Sequence, residues 1–375
     1  MEKKYNNMGI FNKVFGKKEE KREVEIKTYK DFWDWFLTEE KEFYEVIKNH
    51  KNIETDFFDI ISPKLKQLNE GYYFLCGMSD DAVAELIITA DGDVKNIVFA
   101  EEIIAEAPKS ERWKFTALKP EMNLDHGIKM DGKDFSQDNI FFYSNEIEGY
   151  PDEIDVTFVY EGLTEENKND CVTGVCIFLD NFLGELNFAT QIDTFNVVGT
   201  DEAEAELVPV SKLRDFLSWR EREFIEKYKD LKDMGDEDAY SILEAVLNNG
   251  LPLIATVNTT ALNYEAKASY PWISALKIEY NGNENNGLPE SGDYAKLDSI
   301  EENAYQNLKT GGGSVYIGRE SANNVREIYF ASKDFRKPSK VLQNIIKNHP
   351  EYKMSLEIYK DKYWQSFERY NVNQN

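Results

Sequence analysis

The chain has 375 residues, with 44 basic and 70 acidic side chains, a formal charge of −26 and 13% aromatic residues. No run of about 18 apolar residues occurs, which argues against a membrane-spanning helix. Three cysteines are too few for a disulfide scaffold, and the aromatic load is too high for a disordered chain.

At about 150 residues per domain the length suggests two domains. The charge is segregated along them. Residues 1–30 carry nine basic and five acidic groups, residues 31–243 carry 20 and 49, and residues 244–375 carry 15 and 16. The acidic middle block repels phosphate backbones and attracts basic partners, although a plain solvating surface accounts for the same charge. Residues 1–28 read as a flexible basic tail. Ile10, Phe11, Val14 and Phe15 among lysines give residues 8–18 enough for weak peripheral contact with an anionic membrane. The stretch is too short and too charged for a signal peptide, and Met8 is an alternative translation start. Cys76, Cys171 and Cys176 each lie in an apolar run and read as reduced core residues of a cytoplasmic protein.

The first element is a helix over 29–51, with Phe32, Phe36, Phe43 and Ile47 at helical spacing and Trp33, Leu37 and Tyr44 widening the stripe. A second helix covers 53–68, marked by Pro63. Strands are expected at 72–77 and 83–90. Asp91-Gly92-Asp93 reads as a hairpin turn leading into a return strand at 95–100. Further strands at 113–118, 139–145 and 153–160 complete an antiparallel sheet with flanking helices. Residues 164–186 read as a helix carrying Val175, Phe178, Leu179, Phe182, Leu183 and Leu186, with Gly174 and Gly184 as weak points. A helix at 211–229 precedes a polar linker at 230–238. Residues 29–232 thus form an acidic α+β domain.

The C-terminal part, 244–370, parses as an added strand at 253–259, then a strand at 272–280, a helix at 293–308, a hairpin of 314–319 with 325–332, a helix at 338–348 and a strand at 352–359. The order β-α-β-β-α-β is that of the ferredoxin-like split βαβ sandwich. Residues 362–370 add a short helical tail.

Ser269-Tyr-Pro-Trp, Asn286-Gly-Leu-Pro, the acidic helix from Asp298 to Glu302, Arg326-Glu-Ile-Tyr-Phe and Asp361-Lys-Tyr-Trp-Gln-Ser-Phe follow one another in an order that resembles the bacterial family of domain of unknown function 695, over about residues 250–370. That family resembles, at the level of fold, a small acidic regulator, the B-type ribonuclease E inhibitor. The resemblance implies a fold and carries no catalytic residues, because a fold does not determine an activity.

No chemical motif appears. His50, His126 and His349 stand far apart, and Cys171 and Cys176 lack zinc-ligand spacing. Gly311-Gly-Gly-Ser lacks the Lys of a phosphate loop. Asn281-x-Asn283-x-Asn285 begins like a calcium loop, but Asn286 and Gly292 stand where Gly and Glu are required. No catalytic residue, cofactor or metal is therefore expected. Alternation along the C-terminal strands puts Leu276, Ile278, Val315, Ile317, Ile328, Phe330, Met354, Leu356 and Ile358 under the helices. Lys277, Tyr316, Glu327, Tyr329, Lys353 and Tyr359 then form the opposite face, a candidate platform for a protein partner or for docking of the acidic domain. Arg326, on the helix side, needs an acidic mate, with Asp361 and Glu302 as candidates.

These observations point to a non-catalytic protein-interaction or regulatory module whose acidic domain binds a basic protein partner, of nuclease-regulator or toxin-immunity type. Nucleic acid is not expected as a partner, and the oligomeric state is not legible. The alternative is a hydrolase with carboxylates in an inter-domain cleft.

Overall fold

The computed structural model describes residues 24–123, 127–230, 238–310 and 312–370. The basic tail up to residue 23, with the stretch 8–18, lies outside the described residues, as do His126 and most of the 230–238 linker. The described chain builds three α+β modules.

The first module opens with α1 (Tyr29–Asn49). The Thr28 side chain accepts from the Asp31 N–H, and the Asp31 carboxylate accepts from the Thr28 N–H. This capping box fixes where the helix begins. Phe32, Phe36, Phe43 and Ile47 are buried as their spacing predicts, and the Trp33 indole donates to the Ile103 carbonyl at 2.7 Å. A π turn at Glu54–Phe58 leads into α2 (Asp59–Leu68). Strands β1 (Tyr73–Met78) and β2 (Ala84–Thr89) pair antiparallel.

After β2 the chain departs from the expected hairpin. Asp91 and Gly92 do take positive φ, 51° and 80°. Yet residues Val94–Ala105 form a helix, α3, and not a return strand over 95–100. Ile97, Ala100 and Ile103 recur at three-residue spacing and are buried. A short apolar run rich in strand formers does not by itself distinguish helix from strand, and here packing against the sheet decides. Strand β3 (Trp113–Ala117) then joins β2 in parallel, a pairing that needs a crossover element such as α3.

The second module contains the small hairpin β4 (Ile128–Met130) and β5 (Lys133–Phe135), then β6 (Ile140–Asn145) and β7 (Asp155–Tyr160). Helices α4 (Lys168–Leu183) and α5 (Glu185–Gln191) lead to β8 (Thr194–Val198), β9 (Val208–Pro209) and α6 (Leu213–Tyr228). The sheet order is β8-β7-β6-β9, with β7 and β8 parallel. The single antiparallel sheet expected for residues 29–232 is therefore two mixed sheets, each with its own core.

The helix expected over 164–186 breaks at Gly184, where α4 and α5 meet at 109°. Gly184 has φ of 78°, and a Cβ there would lie 2.8 Å from the Glu121 backbone nitrogen. No single helix among the described residues is long and apolar enough to cross a membrane.

The third module is built on one six-stranded sheet. Its elements are β10 (Tyr240–Val246), β11 (Pro252–Asn258), α7 (Thr259–Leu262), β12 (Trp272–Glu279), α8 (Ser291–Lys309), β13 (Ser314–Ala322), β14 (Val325–Ser332), α9 (Arg336–Asn348) and β15 (Lys353–Lys360). The order is β10-β11-β13-β14-β12-β15, every neighbouring pair being antiparallel. Helices α8 and α9 close one face over Leu276, Ile278, Ile328, Phe330 and Leu356. Residues of α7, with Tyr270, Trp364, Phe367 and Tyr370, close much of the other.

The expected alternation is out of phase in β13. Tyr316 pairs with Phe330 across the ladder, and paired residues share a face. Tyr316 is therefore buried under the helices, while Val315 and Ile317 lie on the opposite face with Tyr329 and Ala331. A bulge between Tyr316 and Gly318 resets the register beyond it.

Substituting Gly184→Ala forces a side chain into the left-handed region and against the main chain. The expected cost is about 1–3 kcal/mol of stability, read from the midpoint of urea unfolding. An unchanged midpoint would mean that the bend tolerates a side chain.

Candidate functional site

The face singled out by sequence is only partly assembled. Lys277, Glu327, Tyr329, Lys353 and Tyr359 share one side of the sheet, and Tyr316 leaves it for the other. Its three charges are spent locally: Lys277 stands 3.3 Å from Glu327 and Lys353 2.7 Å from Glu279. Tyr329 is 5% exposed, its ring 5.2 Å from Phe367, and the Tyr359 hydroxyl lies 3.2 Å from Ser366 Oγ. What stays open is a groove of about 400 Å³ lined by Lys277, Tyr359 and Arg369.

Arg326 has acidic mates, but they are Asp298 at 2.7 Å and Glu301 at 3.6 Å rather than Asp361 or Glu302. Both project from α8 and also hold Arg319. Asp361 instead accepts from the backbone N–H groups of Gln365 and Ser366. Asn281 and Asn285 brace their own loop, and Asn283 accepts from Asn324 in the turn between β13 and β14. Among the described residues no group of three or more His, Cys, Asp or Glu side chains is placed to hold a metal ion. The three cysteines are free thiols, and burial pushes the Cys76 thiol up to about 11.

The more organised region lies where the three modules meet, and it is held by three polar clamps. Glu185, the first residue of α5, is 1% exposed. Its carboxylate accepts from the Thr89 hydroxyl at 2.5 Å and from the backbone N–H groups of Ala90, Gly92 and Lys119 at 3.0, 3.1 and 3.0 Å. Those four donors belong to the end of β2, the turn after it and the segment after β3. The second module thus reaches into the first through this side chain, beside an Asp180–Lys119 ion pair at 2.7 Å and the packing of Leu186 and Ala189 on the first core. A buried carboxylate is tolerated in such a place because every lone-pair direction finds a donor.

Asp193 joins the second module to the third. Its two oxygens lie 2.6 Å from the ammonium groups of Lys360 and Lys362. Lys360 also donates to the Thr190 carbonyl at 2.6 Å, and Lys362 to the Asp152 carbonyl at 2.5 Å. The first and third modules are joined by Arg336, whose Nε and Nη2 lie 2.7 Å from the two oxygens of Glu101. This bidentate geometry is the strong form of the pairing. Lys340 adds a contact to Glu102.

Between these clamps lies a cavity of about 380 Å³. Ile154, Leu186, Leu217, Phe224, Trp272 and Phe335 give it apolar walls, and Lys360 and Lys362 stand at one side. Its carboxylates do not converge on a common point. Asp152 holds Lys227 at 2.8 Å and accepts from the Tyr228 and Tyr363 hydroxyls at 2.7 and 2.6 Å, Glu223 faces Arg220, and Asp334 faces Arg336. Burial raises Asp152, but Lys227 and the two tyrosines outweigh it and hold the carboxyl below its ordinary value. Burial and the nearby Asp193 push Glu153 the other way.

Sequence reasoning missed this junction. Glu185 follows a glycine inside what reads as one helix, and Lys360-Asp-Lys362 looks like a solvated charge run. Neither carries a local signal, because the partners lie 96 residues away for Glu185 and Thr89 and 169 for Lys362 and Asp193.

The third module is an α+β unit with a single antiparallel sheet, helices on one face and a short C-terminal cover on the other. Residues 245–370 match the model of a family of unknown function, DUF695. Compared with curated proteins and with solved structures, the chain gives no match in either.

Burial first, and the neighbouring Lys360 second, push the Lys362 ammonium down to about 8 against the pull of Asp193. Unfolded, the group titrates near 10.5. Between those values the unfolded chain binds more protons than the folded one, so this group's contribution to stability rises with pH. Urea unfolding of the wild type and Lys362→Met from about pH 7.5 to 10 checks this. The wild type should gain about 1–3 kcal/mol over the variant toward the alkaline end. A difference that stays flat with pH would place the titration elsewhere.

Proposed function

We propose that this protein is a non-catalytic interaction module whose acidic first and second modules bind a basic protein partner. The observation that carries this reading is the segment between β8 and β9. Asp201, Glu202, Glu204 and Glu206 are all exposed there, and no ion pair among the described residues joins any of the four. Ala203 and Leu207 pack onto Tyr143, Val159 and Val198. The segment is therefore anchored by its apolar residues while its carboxylates face outward. Fixed charges of one sign steer an oppositely charged partner and favour its encounter.

Both the nuclease-regulator and the toxin-immunity forms of this reading require only a basic groove that the carboxylates can occupy. The strand order β13-β14-β12-β15 of the third module, with α8 and α9 on one face, supports a ferredoxin-like core extended at one edge by β11 and β10. In this reading the third module is the platform that holds the acidic modules in place. Three free thiols suit a cytoplasmic setting.

Affinity purification of the full chain at low and high salt, with identification of bound proteins by mass spectrometry, tests the proposal. A basic protein should be retained at about 50 mM salt and lost at about 500 mM, since screening shortens the reach of surface charge. It should also be lost at low salt from D201N/E202Q/E204Q/E206Q. A set of bound proteins indifferent to both salt and the four substitutions would overturn the reading.

A further inference from the structure

The junction cavity carries a feature that the clamps alone do not use. Two ammonium groups share one carboxylate there, Asp193. An ammonium has three N–H donors. Lys360 places one on the Thr190 carbonyl and stands 2.6 Å from Asp193 Oδ1, which accepts no hydrogen bond. Lys362 places two, on Asp193 and on the Asp152 carbonyl. Each therefore keeps at least one donor. Both side chains line the cavity, and their nitrogens stand 5.8 Å from the centre of the Trp272 ring and 5.3 Å from that of Phe224.

Most of the other charged groups around the cavity are engaged; Glu221 and Lys333 also line it, Lys333 with its ammonium over the Tyr270 ring. Asp152 is held by Lys227, and Arg336 by Glu101 and Asp334. Arg220 donates to the carbonyls of Pro151 and Glu153 and lies 3.5 Å from Glu223, and Glu153 accepts from Gln365. Leu186, Leu217, Phe224, Trp272 and Phe335 supply the apolar part of the wall, and Asn187, Thr190 and Gln191 add neutral polar groups.

We propose that this cavity binds a small monocarboxylate with an apolar body. Its two oxygens take the remaining donors of Lys360 and Lys362, and its body lies against Trp272, Phe335 and Phe224. The ligand would bring the local ratio of ammonium to carboxylate to two against two. That matching favours a carboxylate over a neutral molecule of the same shape, because charge-assisted hydrogen bonds are roughly twice as strong as neutral ones. It disfavours inorganic phosphate, which has no apolar part to cover the walls. The volume, about 380 Å³, lies at the small end of the range of ligand pockets. This inference is independent of the acidic surface and its partner.

Isothermal titration of the full chain with octanoate, octan-1-ol and inorganic phosphate tests it. Octanoate should bind one to one with a dissociation constant below about 1 mM, octanol about tenfold more weakly or worse, and phosphate not at all. Lys360→Met leaves the Lys362–Asp193 pair in place. It should weaken octanoate about tenfold while leaving octanol unchanged, and the unchanged octanol shows that the cavity persists. Asn187→Trp, which fills the cavity, should abolish both. Octanol binding as tightly as octanoate, phosphate binding at the same site, or octanoate indifferent to Lys360→Met would each overturn the proposal.

Discussion

One buried carboxylate sets the arrangement on which the rest depends. Glu185 takes four hydrogen bonds from the first module while being itself the first residue of a helix in the second. Its position is fixed from behind by Gly184, whose positive φ turns the chain sharply between α4 and α5. The energetic logic is asymmetric. An exposed ion pair would contribute little, but the buried Thr89 and Ala90 donors would lose a partner that water cannot easily replace, and the part-buried Gly92 and Lys119 donors would lose theirs as well.

The other two clamps follow from that placement. With α5 pinned against the first module, the residues after it bring Asp193 to the end of β15, where Lys360 and Lys362 meet it. The start of α9 brings Arg336 to α3 and Glu101. Three modules are thus joined pairwise by three differently built polar contacts, and the cavity is the space their side chains leave between them. The first core itself runs through the junction, since Trp272 and Phe335 of the third module are buried in it. Apolar packing supplies most of the cohesion, and the polar groups fix which surfaces meet. That rigid base is what would let the carboxylates between β8 and β9 act as a fixed patch rather than a mobile acidic loop.

Much of the architecture was legible because it is periodic. Phe32, Phe36, Phe43 and Ile47 mark α1 by spacing alone, and the third module follows its β-α-β-β-α-β pattern element by element. The failures have physical causes. Val94–Ala105 holds Ile and Val enough to pass for a strand, and only its crossover position between the parallel strands β2 and β3 makes it a helix. Tyr316 was placed on the wrong face because alternation has no origin until the cross-strand partner, Phe330, is known. Tyr240–Val246 follows a polar linker and alternates poorly, so β10 has no sequence signature. The junction was invisible for a different reason. Glu185, Asp193 and Lys362 act through partners far along the chain, and single charged residues in a chain with 70 acids do not announce themselves.

The central claim is that the Glu185 carboxylate couples the first module to the second. Equilibrium urea unfolding of the wild type and Glu185→Ala, followed in parallel by tryptophan fluorescence and far-ultraviolet circular dichroism, tests it most directly. The account predicts a loss of about 3–5 kcal/mol, as expected when several neutral donors lose their shared acceptor at about 1–3 kcal/mol for each one buried. It also predicts that the two signals, coincident in the wild type, separate in the variant as the modules uncouple. A loss below about 1 kcal/mol with coincident transitions would contradict it, because removal of this carboxylate would then leave the modules as firmly joined as before.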